Sequence, residues 1–260
     1  MKKYLFRFLA AIGALTLLLT ALMVLGLLLG TDEKPIPETA ILEIDLEQQL
    51  VEYVPEDPVA QALSLAEGQM TVRQVTETLR WAAADERVVG LFAKVGAAPM
   101  GMAVIQELRD AVAAFRDTGK FSVAHAETFG EFGPGSGAYY LASSFDTIYL
   151  QPSGDIGLTG IMYESPFIKV ALDKLHIQPR LSQRKEYKNA ANLFTEESYT
   201  DAHRESISRL MEIQFNQLLG GISEARGLQT DAVRMLMDQA PLSAQEAFEG
   251  GLIDGLHYRD

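Results

Sequence analysis

VVGLFAKV, at Val88–Val95, is the stretch on which the reading of the fold turns. It is apolar almost without interruption, as expected of a strand covered on both faces by helices. Outward from it, apolar residues recur at helical spacing on either side. Val72, Val75, Leu79 and Ala83 form one stripe of a helix running from Thr71 to about Ala84. Ile105, Leu108, Val112 and Phe115 form another. Ala40–Leu46 (AILEIDL) alternates apolar with acidic residues, a half-buried strand, and Phe121–Ala126 and Thr147–Leu150 read as two more. Strands alternating with helices of this length predict an α/β domain with largely parallel pairing. Tyr53–Gln69 reads as a loop. In the last third, Ile207, Leu210, Met211, Phe215, Leu218 and Ile222 predict a long amphipathic helix, and shorter helices are expected near Asp231–Met237 and Ser243–Glu249. No internal repeat is visible.

The N-terminus belongs to another regime. Phe8–Gly30 carries no charge, long enough for a helix to cross a bilayer. Lys2, Lys3 and Arg7 precede it, and Asp32 and Glu33 follow, so the positive-inside rule leaves the tip in the cytoplasm and exports the remainder. The stretch exceeds the usual apolar core of a cleaved signal, and no A-x-A precedes the polar boundary, which favours a retained anchor. Thr31–Thr39, with Pro35 and Pro37, reads as a stiff linker. The expected domains are thus residues 1–30 (tip and anchor), 31–39 (linker) and 40–260 (one large domain).

The 260 residues carry a net charge of −13 and no cysteine. Disulfides, thiolate catalysis and zinc–thiolate sites are therefore excluded. An acidic surface argues against nucleic acid, where lysine and arginine supply the affinity, and against lying flat on anionic lipid. His125, His176, His203 and His257 lack ligand spacing, so no metal is implied; His125 at a strand end reads as a packed residue.

Two stretches could carry chemistry. Gly130–Tyr140 (GEFGPGSGAYY) is a glycine-rich turn leading into a helix expected from near Gly137. A serine there sits where the helix dipole favours developing negative charge, so Ser136 reads as a nucleophile or, more plainly, as an N-cap. Gly133, Gly135 and Ala138 also satisfy a dinucleotide fingerprint, but the compact strand–turn–helix context is missing and a proline occupies the first variable position. The second stretch, Leu181–Glu196 (LSQRKEYKNAANLFTE), places Lys188 beside Arg184 and Lys185. Such a cluster is ordinarily a solvated face. A lysine acting as base needs desolvation or neighbouring cations to release its proton near neutrality, and the sequence supplies the cations. A serine–lysine pair is a known nucleophile arrangement that needs no histidine.

SGAYYLAS (Ser136–Ser143), IYLQPSGDIGLTG (Ile148–Gly160), ALDKLHIQP (Ala171–Pro179), EYKNA (Glu186–Ala190) and the closing AFEGGLIDGLHYRD (Ala247–Asp260) together resemble the signal peptide peptidase A family. The likeness spans about Ala40–Asp260. It implies a ClpP/crotonase-like fold, a membrane-anchored serine–lysine peptidase, remnant signal peptides as substrates, no cofactor, and subunits that assemble into a ring. In the family's short version one repeat carries both catalytic residues, and Ser136 with Lys188, 52 positions on, matches that layout. In the long version the first repeat supplies the lysine and the second the serine. The family's S-P-G-G turn, part of the oxyanion hole, has VGAAPMGMA (Val95–Ala103) in its place here. The chain therefore resembles the first repeat of the long version, with Lys188 as general base and Ser136 the weaker candidate for nucleophile. A non-catalytic scaffold subunit is the alternative. An acyl-CoA enzyme on the same fold is disfavoured by the expected export, since coenzyme A is cytoplasmic.

Overall fold

The computed structural model describes residues 2–29, 37–53, 70–96, 100–130 and 133–259. The loop at residues 54–69, most of the linker, and Ala97–Pro99 of the segment matching the oxyanion turn lie outside them. The chain divides into two units, Met1–Glu38 and Thr39–Asp260. The first holds α1 (Lys2–Leu29), whose apolar window Phe6–Met23 is entirely unburied and long enough to cross a membrane by length and composition. Each apolar side chain left in water would forfeit the burial that stabilises a soluble helix.

The second unit is built on five parallel strands. They are β1 (Ala40–Asp45), β2 (Val88–Lys94), β3 (Phe121–Ala126), β4 (Thr147–Leu150) and β7 (Gly255–Leu256), side by side in that order. Between the first four strands run α2 (Val72–Ala84), α3 (Met102–Arg116) and α4 (Ser136–Ala142). Helix α2 starts on a capping box, Thr71 Oγ1 accepting from Gln74 N–H while the Gln74 side chain accepts from Thr71 N–H. Its buried stripe is Val72, Val75, Leu79 and Ala82, with Ala83 only half-buried. That of α3 is Ile105, Leu108, Val112 and Phe115, as expected.

The strand order corrects one expectation. Each of the first three crossovers steps to the next strand in the same direction, and right-handed crossovers that all advance one way put their helices on one face. Leu91, Ala93 and Val95 of the β2 segment point to that face and are no more than 1 % exposed. Gly90, Phe92 and Lys94 point the other way, in a row with Ile41 (54 % exposed) and Phe121 (45 %) of the neighbouring strands. The apolar run is thus covered fully on one face and partly on the other. Gly90 is buried because the Phe121 ring lies over it; a Cβ there would come within 2.3 Å of the ring.

The rest comprises β5 (Asp155–Ile156), α5 (Lys169–Lys174), a 3₁₀ turn at Asn189–Ala191, α6 (Asn192–Thr195), α7 (Asp201–Arg226), α8 (Thr230–Gln239), β6 (Leu242–Ser243) and α9 (Ala244–Glu249). β5 and β6 pair antiparallel. The long helix α7 corrects the sequence reading in its first half. Leu218, Leu219 and Ile222 are buried, whereas Leu210 is 49 % and Ile213 51 % exposed, so only the C-terminal half is held in the core.

Candidate active site

Beyond β3 the chain enters the glycine-rich turn, and the glycines are required by a close backbone crossing. Phe129 N–H donates to Asp155 C=O at 2.9 Å, Gly157 N–H to Phe129 C=O at 2.7 Å, and Gly135 N–H to Gly157 C=O at 2.8 Å. A Cβ on Gly135 would lie 1.7 Å from the Phe129 carbonyl oxygen. Gly130 has φ of 99°, a conformation that costs glycine nothing and other residues strain. The turn is thereby fixed against the strand of backbone at Asp155–Gly160.

Ser136 follows as the first residue of α4. The N-cap is Gly135, which corrects the N-cap reading, and the helix begins one residue earlier than Gly137. The Ser136 Oγ accepts instead from Gly160 N–H at 3.0 Å, and Ser136 is only 4 % exposed. The hydroxyl ties the head of α4 to the crossing backbone.

The remainder of SGAYY packs that short helix in place. Tyr139 donates its phenol to Leu252 C=O at 2.6 Å and meets Phe129 edge-to-face at 5.5 Å. Complete burial raises the Tyr139 phenol above its ordinary pKa, keeping it the donor. Arg109 stacks on the Tyr140 ring at 3.8 Å and donates to Tyr140 C=O and Ser143 Oγ at the helix C-terminus. A cation at that end complements the helix dipole, although burial lowers the guanidinium's pKa from its ordinary value. Gly221 lets α7 approach, since a Cβ there would sit 2.5 Å from the Tyr140 ring. Sequence reading missed Arg109, Gly157 and Gly160 because their partners lie 22 to 34 positions away.

Lys188 lies elsewhere. It is exposed, caps the 3₁₀ turn at Asn189–Ala191, and its N–H donates to Lys185 C=O at 3.3 Å. Lys185 holds a left-handed backbone conformation with φ of 74°. Arg184 and Lys185 are exposed as well. Ser136 and Lys188 share no hydrogen bond among the described residues. A cavity of about 530 Å³ lies beside this turn, lined by Gln183, Lys185, Glu186, Asn192, Glu196 and Thr200. His125, as expected, is packed: 3 % exposed, stacked on Phe92 at 6.3 Å, with Nε2 3.1 Å from His257 C=O.

The profile of peptidase family S49 matches residues 114–260, which include both Ser136 and Lys188. The chain belongs to peptidase family S49. Membership agrees with the parallel-stranded α/β domain described above. Among S49 relatives, the chain is 25 % identical over 191 residues to the chloroplastic serine protease SPPA of Arabidopsis thaliana, covering 74 % of this chain and 28 % of that protein. To Protease 4 of Haemophilus influenzae it is 29 % identical over 123 residues, covering 47 % of this chain and 19 % of the relative. To Protease 4 of Salmonella typhi it is 31 % identical over 144 residues, covering 55 % and 20 %. The chain spans under a third of the length of these S49 relatives. Among solved structures, the 1510-N membrane-bound stomatin-specific protease aligns with TM-score 0.45 at 11 % identity, covering 86 % of this chain and 82 % of that one. An enoyl-CoA hydratase/carnithine racemase from Magnetospirillum magneticum aligns with TM-score 0.41 at 15 % identity, covering 85 % and 66 %.

Proposed function

We propose that this chain is the base-supplying part of a membrane-anchored serine–lysine endopeptidase that hydrolyses cleaved signal peptides and other membrane-released peptides. The observation that carries the reading is the contrast between its two candidate residues. The Ser136 hydroxyl is buried and engaged by Gly160 N–H, whereas Lys188 faces outward on a segment in which Asn192 alone is buried between Thr159 and Thr200. A base presented outward suits a serine carried by a second repeat or a second copy. Met162, Tyr163, Val170, Leu175, Ile177 and Leu181 on the same segment are 47–87 % exposed, an apolar surface that association would cover. The cover would also exclude water from the turn that carries Lys188.

In this reading the partner's serine passes its hydroxyl proton to neutral Lys188 as its oxygen bonds to the peptide carbonyl carbon. Backbone N–H groups hold the resulting oxyanion. Collapse breaks the C–N bond, the lysine ammonium gives the proton to the departing amine, and a water deprotonated by Lys188 then releases the acyl group. No cofactor or metal enters. The anchor at residues 8–30 keeps the enzyme in a bacterial inner membrane with its folded unit on the outer side, where such peptides are released.

The test is turnover of a fluorogenic peptide by the purified, assembled protein. Arginine stays protonated at working pH, so Lys188→Arg should be as damaging as Lys188→Ala, about 10²–10⁴ in rate. Lys185→Ala should cost far less. The second reading is a non-catalytic scaffold, favoured by the engaged Ser136 hydroxyl. It predicts near-normal turnover by Lys188→Ala, which would sink the base assignment.

A further inference from the structure

The segment from Phe167 to Tyr199 leaves the domain and returns to it as an arm, and its base is closed by groups that no catalytic role employs. Phe167 enters the arm and Tyr199 leaves it, with ring centroids 5.1 Å apart at 79°. His203, on the first turn of α7 and only 4 % exposed, meets Tyr199 at 4.9 Å and Phe167 at 6.1 Å. Arg204 lies over the Tyr199 ring at 5.5 Å. Beside the rings, Ile168 N–H donates to Leu193 C=O at 2.9 Å, and Lys169 Nζ reaches Glu197 at 3.1 Å. Nearer the tip, Tyr187, adjacent to Lys188, donates its phenol to Glu205 Oε2 on α7 at 2.7 Å.

We propose that the aromatic clasp of Phe167, Tyr199 and His203, with the Tyr187–Glu205 hydrogen bond, is a positioning device that fixes where the arm holds Lys188. An arm with little burial of its own has little local stability and opens readily unless cross-linked. Edge-to-face ring pairs supply directional contact beyond area burial, and here all three rings meet where the arm rejoins the domain at the start of α7. The tip bond then sets the rotation of the turn carrying Lys188, since Tyr187 and Lys188 are neighbours. The role of Lys188 as base rests on the function proposed above; the clasp itself does not.

The experiment uses the full-length assembled protein. Native-state trypsin digestion reads cleavage after Arg184, Lys185 and Lys188, alongside kcat and KM for the fluorogenic peptide. Tyr199→Leu should raise arm cleavage about tenfold over cleavage elsewhere and lower kcat with little change in KM. Tyr199→Phe, which keeps the ring, should restore both. Because Tyr199→Leu touches a half-buried residue, Tyr187→Phe serves as the second variant: it removes one exposed hydroxyl and should raise cleavage at Lys185 and lower kcat about three- to tenfold. Wild-type digestion and kcat in both variants would overturn the proposal. A fully active Lys188→Arg with increased arm cleavage in Tyr199→Leu would remove the base reading and leave the clasp standing.

Discussion

Ser136 shows what a single residue hides. Its type and its place in a glycine-rich turn allow a nucleophile or an N-cap, and local sequence decides between neither. The structure gives it a third task, accepting from Gly160 N–H at 3.0 Å, which depends on a partner 24 positions downstream. Ser136→Ala in the assembled protein should therefore leave most fluorophosphonate labelling and peptide turnover intact. It should also cost about 1–3 kcal/mol of stability, because the Gly160 N–H loses its acceptor. Thermal melting with labelling separates the two effects; complete loss of labelling in a folded Ser136→Ala variant would make this chain self-sufficient. Lys188 was legible as a candidate from the resemblance of EYKNA. Its outward setting agrees with the plainer reading of the Arg184, Lys185 and Lys188 cluster as a solvated face.

The secondary elements around the sheet were legible where periodicity is set by burial against the chain's own core. Helices α2 and α3 and strands β1 to β4 fall where apolar spacing puts them, and the glycine-rich turn leads into a helix as expected. The run at Val88–Val95 misled in one respect. Gly90 and Phe92 are apolar without facing helices, and sequence cannot tell a covered sheet face from one roofed by a neighbouring ring. The two faces make opposite predictions. Ala93 is fully buried beneath the helices, so Ala93→Asp buries an unpaired carboxylate at a cost of several kcal/mol, comparable to a domain's whole stability. It should fail to fold. Gly90→Asp only displaces the Phe121 ring from a half-open face and should cost about 1–3 kcal/mol, the burial of one aromatic side chain. Denaturant titration of the two soluble fractions checks this; equal damage by both would contradict the one-sided sheet. The strands β5, β6 and β7, two residues each, carry too little pattern to be read at all.

At the scale of the whole molecule, the two units obey different solvents. The folded unit buries its apolar side chains against a sheet, whereas the Phe6–Met23 window of α1 buries none of them. A helix of this composition leaves water by entering a bilayer, where every backbone hydrogen bond is already satisfied within the helix. Its direction follows from charge: Lys2, Lys3 and Arg7 lie on the N-terminal side, and Asp32 and Glu33 on the other. We therefore expect the N-terminus inside and the acidic folded unit outside. A reporter that acts only outside the cytoplasm, fused after Asp260, should be active in a bacterial host, and the folded unit should be digested by protease added to spheroplasts. Replacing Lys2, Lys3 and Arg7 with glutamate should reduce reporter activity by removing the orientation signal. An inactive fusion with a protease-resistant product would put the folded unit in the cytoplasm, and released signal peptides would no longer be reachable substrates.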